Sequence, residues 1–293
     1  MSKPSQLSLA MAISLAPGMS WAVGDDQPQM LEPMEIIGDA SAAQTLPGSG
    51  YVVGDQQLKT EVEADISQVL KTVPGVYVRE EEGQGLRPNI GIRGATAERS
   101  SNVTLMEDSV LIAPAPYSNP AAYYFPTLKR MSSLEVLKGA PLLRYGPQTT
   151  GGVINLISTP IPDEQKGYVE AVTNDRGSTD VHATYGDTNG DWGYLFETVQ
   201  RSAQGFKDID RSNRNSGFDI SDYVGKLRWQ GDRQSVTAKI QYSEETSNST
   251  YVGLTDADFN QDPNQRYGLS SPDQMDNTHS GVSLTHQFEW SNN

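Results

Sequence analysis

The sequence predicts two architectures in series: a mixed α+β globule, then an antiparallel transmembrane β-barrel that is only partly present. Three observations carry this. At Lys166 the apolar pattern changes from short mixed pieces to alternation with period two, sustained over about ten residues, the length of a membrane-crossing strand. The connections in that second half are short and long by turns. No run of ~18 apolar residues occurs, so a helical span is excluded while a strand-built one is not.

The first 22 residues read as an export signal. Lys3 is the positive region, Leu7 to Leu15 the apolar run, and Ser20-Trp21-Ala22 the small-residue cleavage site. Pro17 and Gly18 would break a buried helix there. Residues 23–44, rich in Pro, Gly, Ala, Asp and Gln, read as an extended mobile tether. It holds one hydrophobic knot, Met34-Glu35-Ile36-Ile37-Gly38, within 32–38. A β-prone pentad of this kind can join another protein's sheet edge by strand addition.

The globule is expected over 45–162. Ile66, Val69, Leu70 and Val73 recur at helical spacing, so Asp65 to Thr72 is read as a short helix that Pro74 stops. Five β-prone pieces follow: Val76 to Val78, Asn89 to Ile92, Val103 to Met106, Leu134 to Leu137 and Val153 to Ile157. Gly, Pro and Asn clusters punctuate them.

In 163–293 the alternation is plainest in three strands. Tyr223, Gly225, Leu227 and Trp229 alternate with Val224, Lys226, Arg228 and Gln230; Val236 to Tyr242 and Val282 to Trp290 behave alike. A β-sandwich would alternate in the same way. The connections favour the barrel: Asp187 to Asp191 and Gly231 to Arg233 are short turns, whereas Ser202 to Asp219 and Ser247 to Thr278 are long and polar. About six strands fit here against ~22 in barrels that enclose a plug, so the chain reads as the N-terminal portion of a longer protein.

The charge is −15, from 37 acidic and 22 basic residues, which argues against nucleic acid and against a polybasic lipid anchor. There is no cysteine, hence no disulfide and no thiol chemistry. The three histidines, His182, His279 and His286, are scattered, so neither a catalytic residue nor a metal site is expected, and no cofactor. Tyr145 to Gly152 lacks the lysine of a phosphate loop. The acidic run Glu80-Glu81-Glu82 reads as a solvated face.

Three motifs point further. Leu86-Arg87-Pro88-Asn89-Ile90-Gly91-Ile92-Arg93-Gly94 is followed by Leu134-Glu135-Val136-Leu137-Lys138-Gly139. After it comes Tyr145-Gly146-Pro147-Gln148-Thr149-Thr150-Gly151-Gly152-Val153-Ile154-Asn155. With Val73-Pro74-Gly75-Val76 ahead of them, they resemble, in family order, the plug domain of TonB-dependent outer-membrane receptors. Leu86-Arg87-Pro88 and Ala115-Pro116-Tyr117 are similar to the ferric dicitrate branch.

The resemblance implies outer-membrane localisation in a Gram-negative bacterium, with lipid around the barrel. Met34 to Gly38 would be the segment gripped by a TonB-type energy-transducing partner, with too little chain before it for a signalling domain. Uptake of an anionic ferric carboxylate such as ferric dicitrate is implied, another siderophore or cobalamin being the alternative. A plug-only periplasmic binding module is a further alternative if the chain ends naturally.

It also implies ligand contacts from apical loops: Arg87, Arg99, Tyr117 and Asn119, where Asn119 replaces the glutamine of that branch. Guanidinium suits a polycarboxylate chelate bidentately. Arg93 and Gly94, with Gly139, Gly146, Gly151 and Gly152, would be structural, Arg93 packing in the plug–barrel contact. A porin would not need the globule, and an adhesin would not need Met34 to Gly38.

Overall fold

The computed structural model describes residues 35–37, 43, 48–61, 65–81, 83–112, 123–139, 151–174 and 177–289. The globule begins with β1 (Ser49–Val53), α1 (Asp55–Glu61) and α2 (Ile66–Lys71). In α2 the Asp65 side chain accepts from the Ser67 backbone N–H at 2.7 Å, an N-cap. Ile66, Val69 and Leu70 turn inward, and Thr72 closes the C-terminus ahead of Pro74.

Next come β2 (Val76–Arg79), β3 (Asn89–Ile92), a 3₁₀ turn (Glu98–Ser100), β4 (Val103–Glu107) and β5 (Val110–Leu111). A second 3₁₀ turn (Leu128–Arg130) leads into β6 (Met131–Lys138), and β7 (Gly152–Ser158) ends the globule. Five strands form one sheet in the order β1-β6-β7-β4-β5, with β4 and β7 parallel; β2 and β3 pair apart from it. The core lies between α2 and this sheet, built from Ile66, Leu70, Leu105, Leu134, Val136, Ile154 and Leu156.

Gly152 has no room for a side chain. A Cβ there would come within 2.6 Å of the Ile92 Cδ1 and 2.8 Å of the Leu137 carbonyl oxygen.

The second half is one antiparallel sheet. Its strands are β8 (Lys166–Thr173), β9 (Ser178–Asn189), β10 (Trp192–Ala203), β12 (Phe218–Gly231), β13 (Gln234–Ser247) and β15 (Met275–Phe288). They lie in the order β15-β13-β12-β10-β9-β8. Among the described residues this sheet does not close.

Two long connections carry structure of their own. β11 (Asp208–Ile209) and β14 (Gln265–Arg266) pair in parallel and tie the loops together, with a short helix, α3 (Asp256–Gln261), beside them. The tight turns at 190–191 and 232–233 lie at the opposite end of the strands.

The outer face is apolar: Phe196, Leu227, Ile240, Val282 and Leu284 are all exposed, Val282 to 84%. Alternation sends Glu197, Asp222, Lys226 and Lys239 inward, where they are buried or half-buried against the globule. An apolar outer face with polar contacts inside is the arrangement that the period-two pattern predicts.

Candidate functional site

Two polar regions join globule to strand sheet: a buried seam along the wall and an open apex at the long-loop end.

At the seam, Arg130 is 1% exposed. Its guanidinium grips both oxygens of Glu107, the Nη2–Oε2 distance being 3.0 Å, and reaches Asp222 of β12 at 3.3 Å and the Tyr124 hydroxyl at 3.0 Å. Lys239 of β13 donates to Glu107 and, at 2.7 Å, to Asp108. Lys226 of β12 donates to the Ser158 Oγ at 2.6 Å and the Thr159 carbonyl at 2.7 Å. The cations Arg130, Lys226 and Lys239 thus face the anions Glu107, Asp108 and Asp222.

Burial alone would raise the Glu107 carboxyl, but Arg130 and Lys239 outweigh it and hold it below the ordinary value. Asp108 is likewise held well below the usual carboxylate range, its burial outweighed by Lys226 and Lys239. Tyr124 stacks on His279 with centroids 3.8 Å apart, and burial pushes its hydroxyl up.

At the apex, a cavity of about 450 Å³ lies between the globule and the β13–β15 loop. Glu81, Arg87 and Arg99 line it from one side, Tyr251 and Asp273 from the other. Arg99 sits in the first 3₁₀ turn with φ +50°, a left-handed conformation for a non-glycine residue. The Asn89 Oδ1 fixes that turn by accepting the Arg99 backbone N–H at 2.8 Å.

The sequence places Arg99 in a projecting polar loop. In the structure it is 20% exposed and forked on Glu81, with Nη2–Oε1 at 2.9 Å. Its guanidinium also lies 4.5 Å from the Tyr251 ring centroid and 6.0 Å from that of Tyr123. Glu81 is therefore a site residue, a correction to the solvated acidic run. Glu80 pairs separately with Lys71.

Arg87 departs further from expectation. It is buried, paired with Glu245 of β13, and donates to Ser247 Oγ at 2.9 Å and Ser249 Oγ at 2.8 Å. Its first task is to dock the globule's apical loop on the wall, which a lone arginine in a sequence does not reveal. Tyr117 and Asn119 lie outside the described residues, as do the export signal, Met34, Gly38 and Gly146.

Arg93 lies at the surface of the globule. It is exposed, with φ +53°, and its Nη1 lies 3.3 Å from where a Gly139 Cβ would be; among the described residues it makes no ion pair with the barrel. Gly94 and Gly139 both have positive φ, +80° and +103°. A Cβ on Gly151 would come within 2.8 Å of the Asn102 carbonyl oxygen.

The tether segment is not free. Ile37 is buried with Met106, Leu137 and Val153, and the backbone N–H groups of Ile36 and Ile37 donate to Glu135 of β6 at 2.9 and 2.8 Å. The expected mobile knot is docked at this point.

Comparison with known proteins decides what the globule is. Residues 42–153 match the TonB-dependent Receptor Plug Domain. In fold and motifs this stretch is similar to that plug domain.

With the antiparallel sheet behind it, the fold is that of the N-terminal portion of a TonB-dependent receptor. An iron-regulated outer membrane virulence protein of Vibrio cholerae is 30% identical over 179 residues, 58% of this chain and 26% of its own length. A probable TonB-dependent siderophore receptor, PirA of Acinetobacter baumannii, is 24% identical over 306 residues, 90% of this chain and 38% of its own. The crystal structure of the unliganded ferric citrate transporter FecA superposes with a TM-score of 0.73 at 23% identity, over 87% of this chain and 39% of that one. The chain thus spans between a quarter and two fifths of the length of these relatives.

Proposed function

We propose that this chain belongs to a receptor for energised uptake of a metal chelate across the outer membrane. The ligand class it fits first is an anionic ferric carboxylate such as ferric dicitrate. The export signal at 1–22 and the grip of a TonB-type partner on Met34 to Gly38 belong to the same reading. The iron is cargo, held by its chelator. Among the described residues no cluster of His, Asp and Glu could hold it directly.

The observation that carries the proposal is the apical cavity, where plug arginine Arg99 and loop tyrosine Tyr251 converge at the long-loop rim. A chelate carboxylate would take the Arg99 fork from Glu81. The Asn89 Nδ2, 3.2 Å from the Glu81 Oε2, remains as a donor for the displaced carboxylate. Arg87 shapes the floor.

One feature favours a second reading. Both apical arginines already carry a carboxylate, Glu81 on Arg99 and Glu245 on Arg87. A less charged siderophore or a cobalamin would leave these pairs intact and stack on Tyr251 and Tyr123.

Two measurements test the proposal. Deleting Met34 to Gly38 should abolish uptake of labelled chelate while surface binding persists; unchanged uptake sinks the energised mechanism. Glu81→Gln should tighten ferric citrate binding about threefold to tenfold by removing the internal competitor, whose exposed-pair strength is ~1 kcal/mol. Weaker or unchanged citrate binding, with tight binding of a neutral chelate, selects the second reading.

A further inference from the structure

Two long loops, 204–217 and 248–274, meet above the globule, and more than the β11–β14 pairing joins them. Arg214 of the first loop reaches across to both ends of the second. Its Nη2 donates to Asn248 Oδ1 at 2.8 Å and to Gln274 Oε1, and its Nη1 donates to the Ser271 carbonyl at 2.9 Å. Beside it the Ser212 and Ser271 hydroxyls lie 2.9 Å apart. Within the second loop, Arg266 is buried and donates to the Asn248 carbonyl, to Ser270 Oγ at 2.7 Å and to the Ser270 carbonyl at 2.6 Å. The acceptors of both guanidinium groups are carbonyl, amide and hydroxyl oxygens, so these arginines hold the course of the chain.

Asn248 is the meeting point. Arg214 takes its Oδ1 and Arg266 its carbonyl, while its Nδ2 donates to Asn215 Oδ1 and its backbone N–H to the Gly217 carbonyl, both at 2.8 Å. Three positions on stands Tyr251, whose ring lies over Arg99. Thr250 beside it is held too, its hydroxyl donating to Asp273 at 2.6 Å. The first loop is seated on the globule in turn. Gln84 Nε2 donates to the Ser216 carbonyl at 2.8 Å, and a Cβ on Gly83 would come within 2.9 Å of the Phe206 ring.

We infer that Arg214 is a positioning residue for the apical cavity: it does not line that cavity, yet by stapling both ends of the second loop it holds the Tyr251 ring over Arg99. Tyr251 is exposed, with little packing of its own, so the backbone that carries it sets its place. A guanidinium suits the task because one planar fork reaches three oxygens on two stretches of chain, which a lysine ammonium does not reproduce. A ring fixed beforehand need not be ordered when a ligand arrives. The effect on ligand affinity rests on the proposed function; the staple itself does not.

The sequence has no cysteine, and a Cβ on Gly253 meets nothing within 4 Å, so Gly253→Cys gives a unique nitroxide site on the second loop. Electron paramagnetic resonance of the purified receptor in detergent, without ligand, reads its mobile fraction. Arg214→Ala should raise that fraction about threefold or more, as for the loss of hydrogen bonds within the protein, and Arg214→Lys should raise it less. A label as immobile in Arg214→Ala as in its parent overturns the staple. If Arg214→Ala fails to fold, Arg214→Lys carries the same test.

A double-mutant cycle titrated with ferric citrate tests the positioning. Arg214→Ala and Tyr251→Ala should each weaken binding about twofold to fivefold, the range of an exposed cation–π contact. The double variant should bind no more weakly than Tyr251→Ala alone. Effects that multiply in the double variant show Arg214 acting by another route and overturn the positioning role. A wild-type receptor that ignores ferric citrate sinks the proposed ligand instead, and the label then decides the staple by itself.

Discussion

Arg130 at the seam and Arg99 at the apex have the same chemistry and opposite consequences. Each forks a glutamate bidentately and touches a tyrosine, Arg130 with Glu107 and Tyr124, Arg99 with Glu81 and Tyr251. The difference is water. Arg130 is 1% exposed and shares its carboxylates with cations of the barrel wall, so no partner can leave without stranding a buried charge. Arg99 borders an open cavity, where solvent screens the pair and, on the proposed reading, an incoming anion takes the place of Glu81. An arginine–carboxylate pair is a rivet or an exchangeable contact according to its burial.

The sharpest way to break this comparison is to remove each arginine. Arg130→Ala leaves Glu107 and Asp222 buried with fewer cations, and should cost about 3–5 kcal/mol, the range for breaking a buried pair. Folded yield and denaturation midpoint of the purified receptor measure it. A near-normal midpoint would mean that the seam is not held by its charges.

Arg99→Ala should act on binding instead, weakening an anionic chelate by about 1.5–3 kcal/mol while shifting the thermal midpoint little. Arg99→Lys should fall between, since it restores charge without the fork. Titration of ferric citrate against the three proteins decides, and a large loss of stability in Arg99→Ala would make the apex a second seam.

The smallest effect expected is on pH. Glu107 and Asp108 have folded-state pKa values below their unfolded ones. Their contribution is therefore complete above the ordinary carboxylate range, about pH 4, and is lost as pH falls through the depressed values. The thermal midpoint should stay nearly level from about pH 8 to 5 and fall only on stronger acidification, less so in Asp108→Asn. A midpoint that declines already near neutral pH would place the sensitive groups elsewhere.

Much of the fold was legible because periodicity is a local property. Ile66, Val69 and Leu70 at helical spacing located α2, and alternation from Tyr223 to Gln230 located β12 with its correct face outward. β1 and α1 escaped. A five-residue strand whose burial comes from pairing with β6 carries little pattern of its own.

The site was legible only in outline. Arg99 stood out as a cation in a polar loop, whereas Glu81 looked like one member of a solvated run and Tyr251 like any loop aromatic. Their meeting spans 170 positions of chain, from Glu81 to Tyr251, and no local pattern encodes it.

By itself, then, the sequence determined the order of architectures, the plug motifs and the apolar outer face, since each depends on neighbours a few residues apart. Only the tertiary structure decided the partners of its charges. Arg87 became a wall contact, Arg130 the centre of the seam, and Glu135 the acceptor for the tether. The physical reason is that a charge's role follows from its burial and from which opposite charge the fold brings within hydrogen-bond reach, and both arise from contacts distant in sequence.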